Sequence, residues 1–271
     1  MERFEGSVAV VTGGGSGIGR GIARALARAG SDVVVADIDG TGAADVAEEL
    51  RTVGVDAIGV ACDVTDRDAV ERLADLAWER SGRVDVVVNN AGVFPKFAST
   101  LDLDEHDARW VLEVNLLGVA FGCAVFGKRF VDQGTPAHIL NTGSENSVGV
   151  PHTHAAMYTA SKHAVLGFSD VLRRELPDFV GVSVLCPGMV DTGLATAGHH
   201  RPERFGGPTP TNPWLSLDGG MDPDAVGQLA VEGMRRGDFV IMTHPSVRAI
   251  AEQRARDVLD AFDALDSLDR R

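Results

Sequence analysis

Seven short runs rich in valine and alanine recur along the chain, at 7–12, 32–37, 55–61, 84–89, 137–141, 181–185 and 239–242. Stretches with helical periodicity separate them, at 18–29, 43–53, 68–80, 104–131, 155–176 and 223–236. Strands that read as unbroken apolar runs are buried on both faces, and the helices between them supply the cover. Right-handed crossovers then give one α/β domain of the doubly wound, Rossmann type, with about seven parallel strands and helices on both faces. A chain of 271 residues suits a single domain of this kind. Residues 193–222 break the alternation with glycines, four prolines and little periodicity, and read as a lid. A charged segment at about 246–265 reads as a closing helix.

Composition narrows the partners. The net charge of −14 argues against nucleic acid and anionic membrane, both of which require a basic surface. No run of 18 apolar residues suggests a membrane span, and the N-terminal residues lack the pattern of a secretory signal. Cys62, Cys123 and Cys186 are isolated and read as buried hydrophobes in a reducing compartment, so a cytoplasmic location is expected.

The first run ends in Thr12-Gly13-Gly14-Gly15-Ser16-Gly17-Ile18-Gly19, and a helix follows at once. Glycines here let the backbone turn sharply toward a pyrophosphate, whose charge the helix N-terminus stabilises. The second run ends in Asp37, 18 residues after Gly19, where a carboxylate can accept from an adenosine 2′-hydroxyl and repel a 2′-phosphate. No lysine or arginine stands between Gly13 and Gly19 or just after Asp37, so the expected cofactor is NAD rather than NADP. Asp63 and Val64 end the third run. Asp63 there could meet the adenine edge or cap the next helix. Asn90-Ala91-Gly92 closes the fourth run with a small turn against which a cofactor could lie.

The only tyrosine, Tyr158, stands four residues before Lys162 at the start of a helical segment, so both side chains share one face. A phenol with its ordinary pKa near 10 is a poor base at neutral pH. A nearby ammonium and a positive nicotinamide are expected to lower it. Ser144 follows the fifth strand and would reach the same sheet edge. Asn115 lies within the long segment 104–131, where a buried amide must find partners, one of which could be a water leading to Lys162.

Taken in chain order, the glycine loop, Asn90-Ala91-Gly92, Asn115, Ser144, Tyr158-x-x-x-Lys162 and Pro187-Gly188 resemble the classical short-chain dehydrogenase/reductase family over nearly the whole length. The resemblance implies that Tyr158 is the general acid/base and that Ser144 bonds the substrate oxygen. It implies that Lys162 holds the nicotinamide ribose and lowers the Tyr158 pKa, while Asn115 anchors a proton-relay water. Pro187, Gly188, Val190 and Thr192 resemble the segment that orients the carboxamide. The serine stands 14 residues before the tyrosine, one more than is common in the family, a difference a loop absorbs. The implied activity is hydride transfer between NAD and a secondary alcohol or ketone. A non-catalytic NAD sensor or scaffold would have no reason to keep the four polar residues, and a redox-neutral epimerase or dehydratase would carry a larger C-terminal domain.

Phe94, Glu145, Val150, Met189 and Trp214 are candidates to line the substrate pocket, with Phe205, Leu215 and Met221 from the lid. His152 and His154 have no acid or cysteine partner at ligand spacing, so no metal is expected. Segments 104–131 and 155–176 carry apolar residues on more than one face, which suggests a homodimer or homotetramer. A lid with apolar residues beside His199 and His200 suits a medium-sized cyclic or polycyclic alcohol, terpenoid or steroid-like.

Overall fold

The computed structural model describes residues 4–213 and 215–269. Strands β1 (Val8–Thr12), β2 (Asp32–Asp37), β3 (Ala57–Ala61), β4 (Val86–Asn89), β5 (Ala137–Thr142), β6 (Val180–Cys186) and β7 (Val240–Met242) form one parallel sheet in the order β3-β2-β1-β4-β5-β6-β7. Each of the seven expected runs is a strand, shifted by no more than two residues at either end. The central strands β1 and β4 are buried at every position, as their apolar sequences demand. Helices α1 (Gly17–Arg28), α2 (Gly40–Arg51) and α7 (Pro223–Arg236) contribute to one core with one face of the sheet. Helices α3 (Arg67–Ser81), α5 (Val119–Gln133) and α6 (Ala156–Glu175) contribute to the core on the other, where Phe126 and Phe130 meet Trp78.

The sequence order reverses between β1 and β4, and the crevice at their carboxyl ends is the switch point at which such sheets bind ligands. Thr12 and Asn90 stitch the two strands together there. The Thr12 hydroxyl accepts from the Asn90 and Ala91 amides at 3.0 and 3.2 Å, and Asn90 Nδ2 donates to the Thr12 and Gly13 carbonyls, each at 3.1 Å.

The segment expected as one helix over 104–131 is three pieces: α4 (Glu105–Leu112), a π-helical turn (Glu113–Gly118) and α5. A π turn admits an extra residue into the helix and often marks a functional position, and this one holds Asn115. The composite stretch Glu105–Gln133 has the length and apolarity of a membrane span, but 61% of its most apolar window is buried in the fold.

The described residues of 193–222 include regular structure. Two 3₁₀ turns (Gly193–His200 and Glu203–Phe205) lie on the α4 region, and Val190 pairs with Met221 as an isolated bridge. Arg201 is buried, bonds Asp107 at 2.5 Å and lies over the Trp110 ring at 5.0 Å. The closing helix α8 (Arg248–Asp269) starts after a 3₁₀ turn at Pro245–Val247 and extends past the expected end at 265.

Candidate active site

A cavity of about 400 Å³ runs along the carboxyl ends of the strands, from the end of β2 past the switch point to the start of α6. Gly13, with φ +61°, forms its floor: a Cβ there would lie 2.7 Å from the Ala91 Cα, so the loop can pass only as glycine. Ser16, Gly17 and Ile18 also line it. Ser16 makes no side-chain cap to α1, and the first turn carries no acid, so the positive end of that helix remains available to an anion. Gly19 departs from expectation, because it does not line the cavity. A Cβ on it would fall 2.0 Å from the Gly13 carbonyl oxygen, so its part is to let α1 start against the loop.

The Asp37 carboxylate is held at the end of β2 by the Gly15 amide at 2.9 Å and the Asp39 amide at 3.0 Å. Asp37, Asp39 and Asp63 all line the cavity, and among the described residues lining it Lys162 is the one lysine or arginine. Asp63 does not cap α3, because Asp66 does. Its Oδ1 accepts from the Thr65 amide and hydroxyl at 3.0 and 2.6 Å, while Oδ2 accepts from Arg204 of the Glu203–Phe205 turn at 2.8 Å. Burial works against this carboxylate, but the Thr65 and Arg204 bonds outweigh it and hold its pKa below the ordinary value. Val64 lines the wall beside it and packs with Trp110, Val114 and Phe205.

Ser144, Tyr158 and Lys162 converge on the same cavity, and all three are buried. Lys162 Nζ donates to the Thr142 carbonyl at 2.9 Å and lies 5.7 Å from the centre of the Tyr158 ring. That carbonyl belongs to the residue by which β5 exceeds its expected end, so the strand's extra residue provides the lysine's acceptor. Ser144 Oγ accepts from the Asn146 amide and donates to Asn146 Oδ1, each at 3.2 Å. Ser147 is a brace instead: it accepts from the Ser144 amide at 3.1 Å and donates to the Lys162 carbonyl at 2.8 Å.

Asn115 does not reach the cavity; its side chain accepts from the Val93 amide at 2.8 Å and donates to the Val93 carbonyl at 2.9 Å, fixing the loop after β4. The Tyr158 phenol is not lowered in the cofactor-free protein. Burial pushes it up to about 12, the Ser144 hydroxyl pulls the other way, and Glu145 adds to the rise. Burial likewise presses the Lys162 ammonium down to about 8.

Asn90, Ala91, Gly92, Pro187, Gly188, Val190 and Thr192 line the cavity as expected from their motifs. Phe94 packs on the Tyr158 ring at 4.5 Å and on Phe97 at 4.9 Å, with Leu194 and Leu215 against the same cluster. Glu145, Val150 and Met189 do not line the cavity: Val150 and Met189 face solvent, and the Glu145 amide instead donates to the Pro187 carbonyl at 2.7 Å. Trp214 lies outside the described residues. Thr12, Thr142, Val93 and Phe97 were not singled out from sequence. Their roles rest on backbone groups and ring contacts that only the assembled sheet edge creates.

The description "short chain dehydrogenase" matches residues 7–202, and the chain belongs to that family. A 1-deoxy-11-beta-hydroxypentalenate dehydrogenase from Streptomyces exfoliatus is 42% identical over 203 residues, covering 74% of this chain and 73% of the relative. A probable oxidoreductase, EphD, from Mycobacterium tuberculosis is 42% identical over 201 residues, 73% of this chain, and the match spans only 34% of that relative's length. Among solved structures, a short chain dehydrogenase/reductase from Burkholderia phymatum in complex with NAD superimposes with a TM-score of 0.89 at 36% identity, covering 95% of this chain and 96% of the other. LigO from Sphingobium sp. strain SYK-6, in its apo form, gives 0.82 at 32% identity over 97% and 92%.

Proposed function

We propose that the protein is an NAD-dependent dehydrogenase that interconverts a secondary alcohol and a ketone, with Tyr158 as general acid/base. The observation that carries this is the convergence of Ser144, Tyr158 and Lys162 on a cavity whose far wall, three strand positions away, is Asp37. The residues fit a dinucleotide: the Gly13 floor admits a close-packed backbone, the α1 N-terminus suits a pyrophosphate, and Asp37 suits a ribose diol. When bound, NAD supplies the hydride acceptor for alcohol oxidation, and NADH the donor for the reverse.

The chain's own residues then divide the work. Ser144 donates to the substrate oxygen and holds it beside the phenol. Tyr158 takes the hydroxyl proton during oxidation and returns it during reduction. Lys162, kept in place by the Thr142 carbonyl, lies close enough to favour the phenolate once a bound ligand adds positive charge. Asn115 orients the Val93 backbone and Gly92 against that lysine, and supports proton exit to water. Phe94, Phe97, Leu194 and Leu215 exclude water around the phenol and favour an apolar substrate, of medium size and cyclic or polycyclic. The Streptomyces relatives are named as dehydrogenases of a hydroxypentalenate, which agrees with an alcohol as the reactant.

The test is NADH formation from NAD with a panel of cyclic secondary alcohols. The acidic ribose end predicts a kcat/KM for NADH at least tenfold above that for NADPH with a ketone, and Asp37→Ser is expected to close most of that gap. A wild-type preference for NADPH would overturn the cofactor assignment.

Assembly as a homodimer or homotetramer belongs to the same reading. Leu117, Val131 and Val171 on the outer helices are exposed, which leaves apolar surface for a second copy. Light scattering at micromolar concentration is expected to give a dimer or tetramer; a monomer would remove this part of the proposal.

A further inference from the structure

The segment that leaves β6 is held by a residue no motif reaches. β6 and β7 pair through Cys186↔Met242 and then separate, yet the contact continues through one side chain, His244. Its Nδ1 accepts from the Gly188 amide at 3.1 Å, and its Nε2 lies 3.0 Å from the Met189 carbonyl. A ring nitrogen that accepts an amide proton cannot carry one, so the proton sits on Nε2 and is donated to Met189. One neutral tautomer thus satisfies two successive backbone groups, and the Thr243 hydroxyl, 2.6 Å from Nδ1, supports the same tautomer. The ring also lies flat against Gly188, where a Cβ would fall 2.9 Å from the His244 Cγ. The remaining bonds of the segment come from its flanks: Glu145 to Pro187, and Met221 to Met189 and Asp191. Among the described residues, His244 is the one that bonds the Gly188 amide.

We propose that His244 is a positioning residue that fixes the Pro187–Gly188–Met189 backbone at the nicotinamide end of the cofactor cavity. This rests on the reading of that segment as cofactor-binding given above. β7 is a three-residue edge strand, and edge strands of that length hold a neighbour weakly, so an added clamp beyond its end has a clear physical purpose. Gly188 lines the cavity while His244 does not, so the histidine acts through the backbone rather than on a ligand.

The experiment compares two ligands on the full chain: NADH, and ADP-ribose, which lacks the nicotinamide. His244→Phe keeps a ring against Gly188 and removes the polar contacts to Gly188, Met189 and Thr243. It is expected to weaken NADH by about tenfold, the effect of losing one to two hydrogen bonds, while changing ADP-ribose by less than about twofold. His244→Asn places an amide oxygen where Nδ1 stood and is expected to recover NADH binding to within about threefold of wild type. Equal weakening of both ligands in His244→Phe would mean a general structural role and overturn the proposal, as would no change in either. If the wild-type protein binds neither NADH nor ADP-ribose, the cofactor reading itself fails, and that outcome is distinct from a failure of the clamp.

Discussion

Tyr158→Phe is expected to lower kcat/KM by about 10²–10⁴-fold in both directions while leaving the fold intact. The phenol is the only hydroxyl acid of its kind in the chain, since the sequence contains a single tyrosine. Its ring contact with Phe94 survives the substitution, because that contact needs only the ring. Loss of the hydroxyl is expected to move the melting temperature by no more than about 2 °C, so a fall in rate cannot be ascribed to unfolding. Turnover above about a tenth of wild type would remove Tyr158 from the acid/base role. The same residue offers a direct spectroscopic reading, because any tyrosinate absorbance comes from it. In the cofactor-free protein the transition is expected near pH 12, where burial has pushed it. The folded pKa is above the ordinary value of 10, so folding disfavours the phenolate between those limits and stability falls as pH rises through that range. Saturation with NAD is expected to lower the transition, since its nicotinamide adds positive charge beside the ring.

The strands and the glycine loop were legible because their signals are local. An unbroken run such as Val8–Thr12 can only be a strand covered on both faces, and the glycines that follow leave the backbone few uses other than close approach. The order of the polar residues also carried through, since Ser144, Tyr158 and Lys162 each follow or begin a regular element. What stayed hidden is long in range or set by burial. Asp63 meets Arg204 across 141 residues, and no spacing rule links a strand end to a 3₁₀ turn so far along the chain. The break in 104–131 leaves no trace in helical periodicity, because a single π turn shifts the apolar stripe by only one residue. The state of the Tyr158 phenol in the protein alone is hidden for a related reason. A sequence shows that a lysine is one turn away, but not that both groups are sealed from water, and burial raises the phenol while it lowers the ammonium. His244 escaped notice because its partners are backbone groups, which have no signature in sequence.

Lys162→Met is expected to inactivate the enzyme and to stabilise the cofactor-free protein. Burial holds the ammonium at a pKa of about 8 against an ordinary 10.5, so at neutral pH the folded chain carries a charge it disfavours. That displacement corresponds to about 3 kcal/mol at ~1.4 kcal/mol per unit. The methionine chain fills nearly the same volume. Loss of the bond to the Thr142 carbonyl returns about 1 kcal/mol, leaving a net gain on the order of 2 kcal/mol, or a melting temperature higher by about 4–6 °C at pH 7. The sign with pH follows from the depressed value. The penalty is complete below the folded pKa of about 8 and gone above the unfolded value of 10.5, so the advantage of the variant shrinks as pH rises between them. Activity is expected to move the other way, with kcat/KM down by about 10²-fold or more, since the phenol loses the cation 5.7 Å from its ring and the cavity the one lysine among its described lining residues. Thermal melts at pH 7 and pH 10, run beside the rate assay, separate the alternatives. A variant less stable than wild type at pH 7 would show that the Thr142 carbonyl fully compensates the buried charge. A gain that vanishes by pH 10 would show that the site keeps its lysine for turnover at the expense of the empty protein's stability.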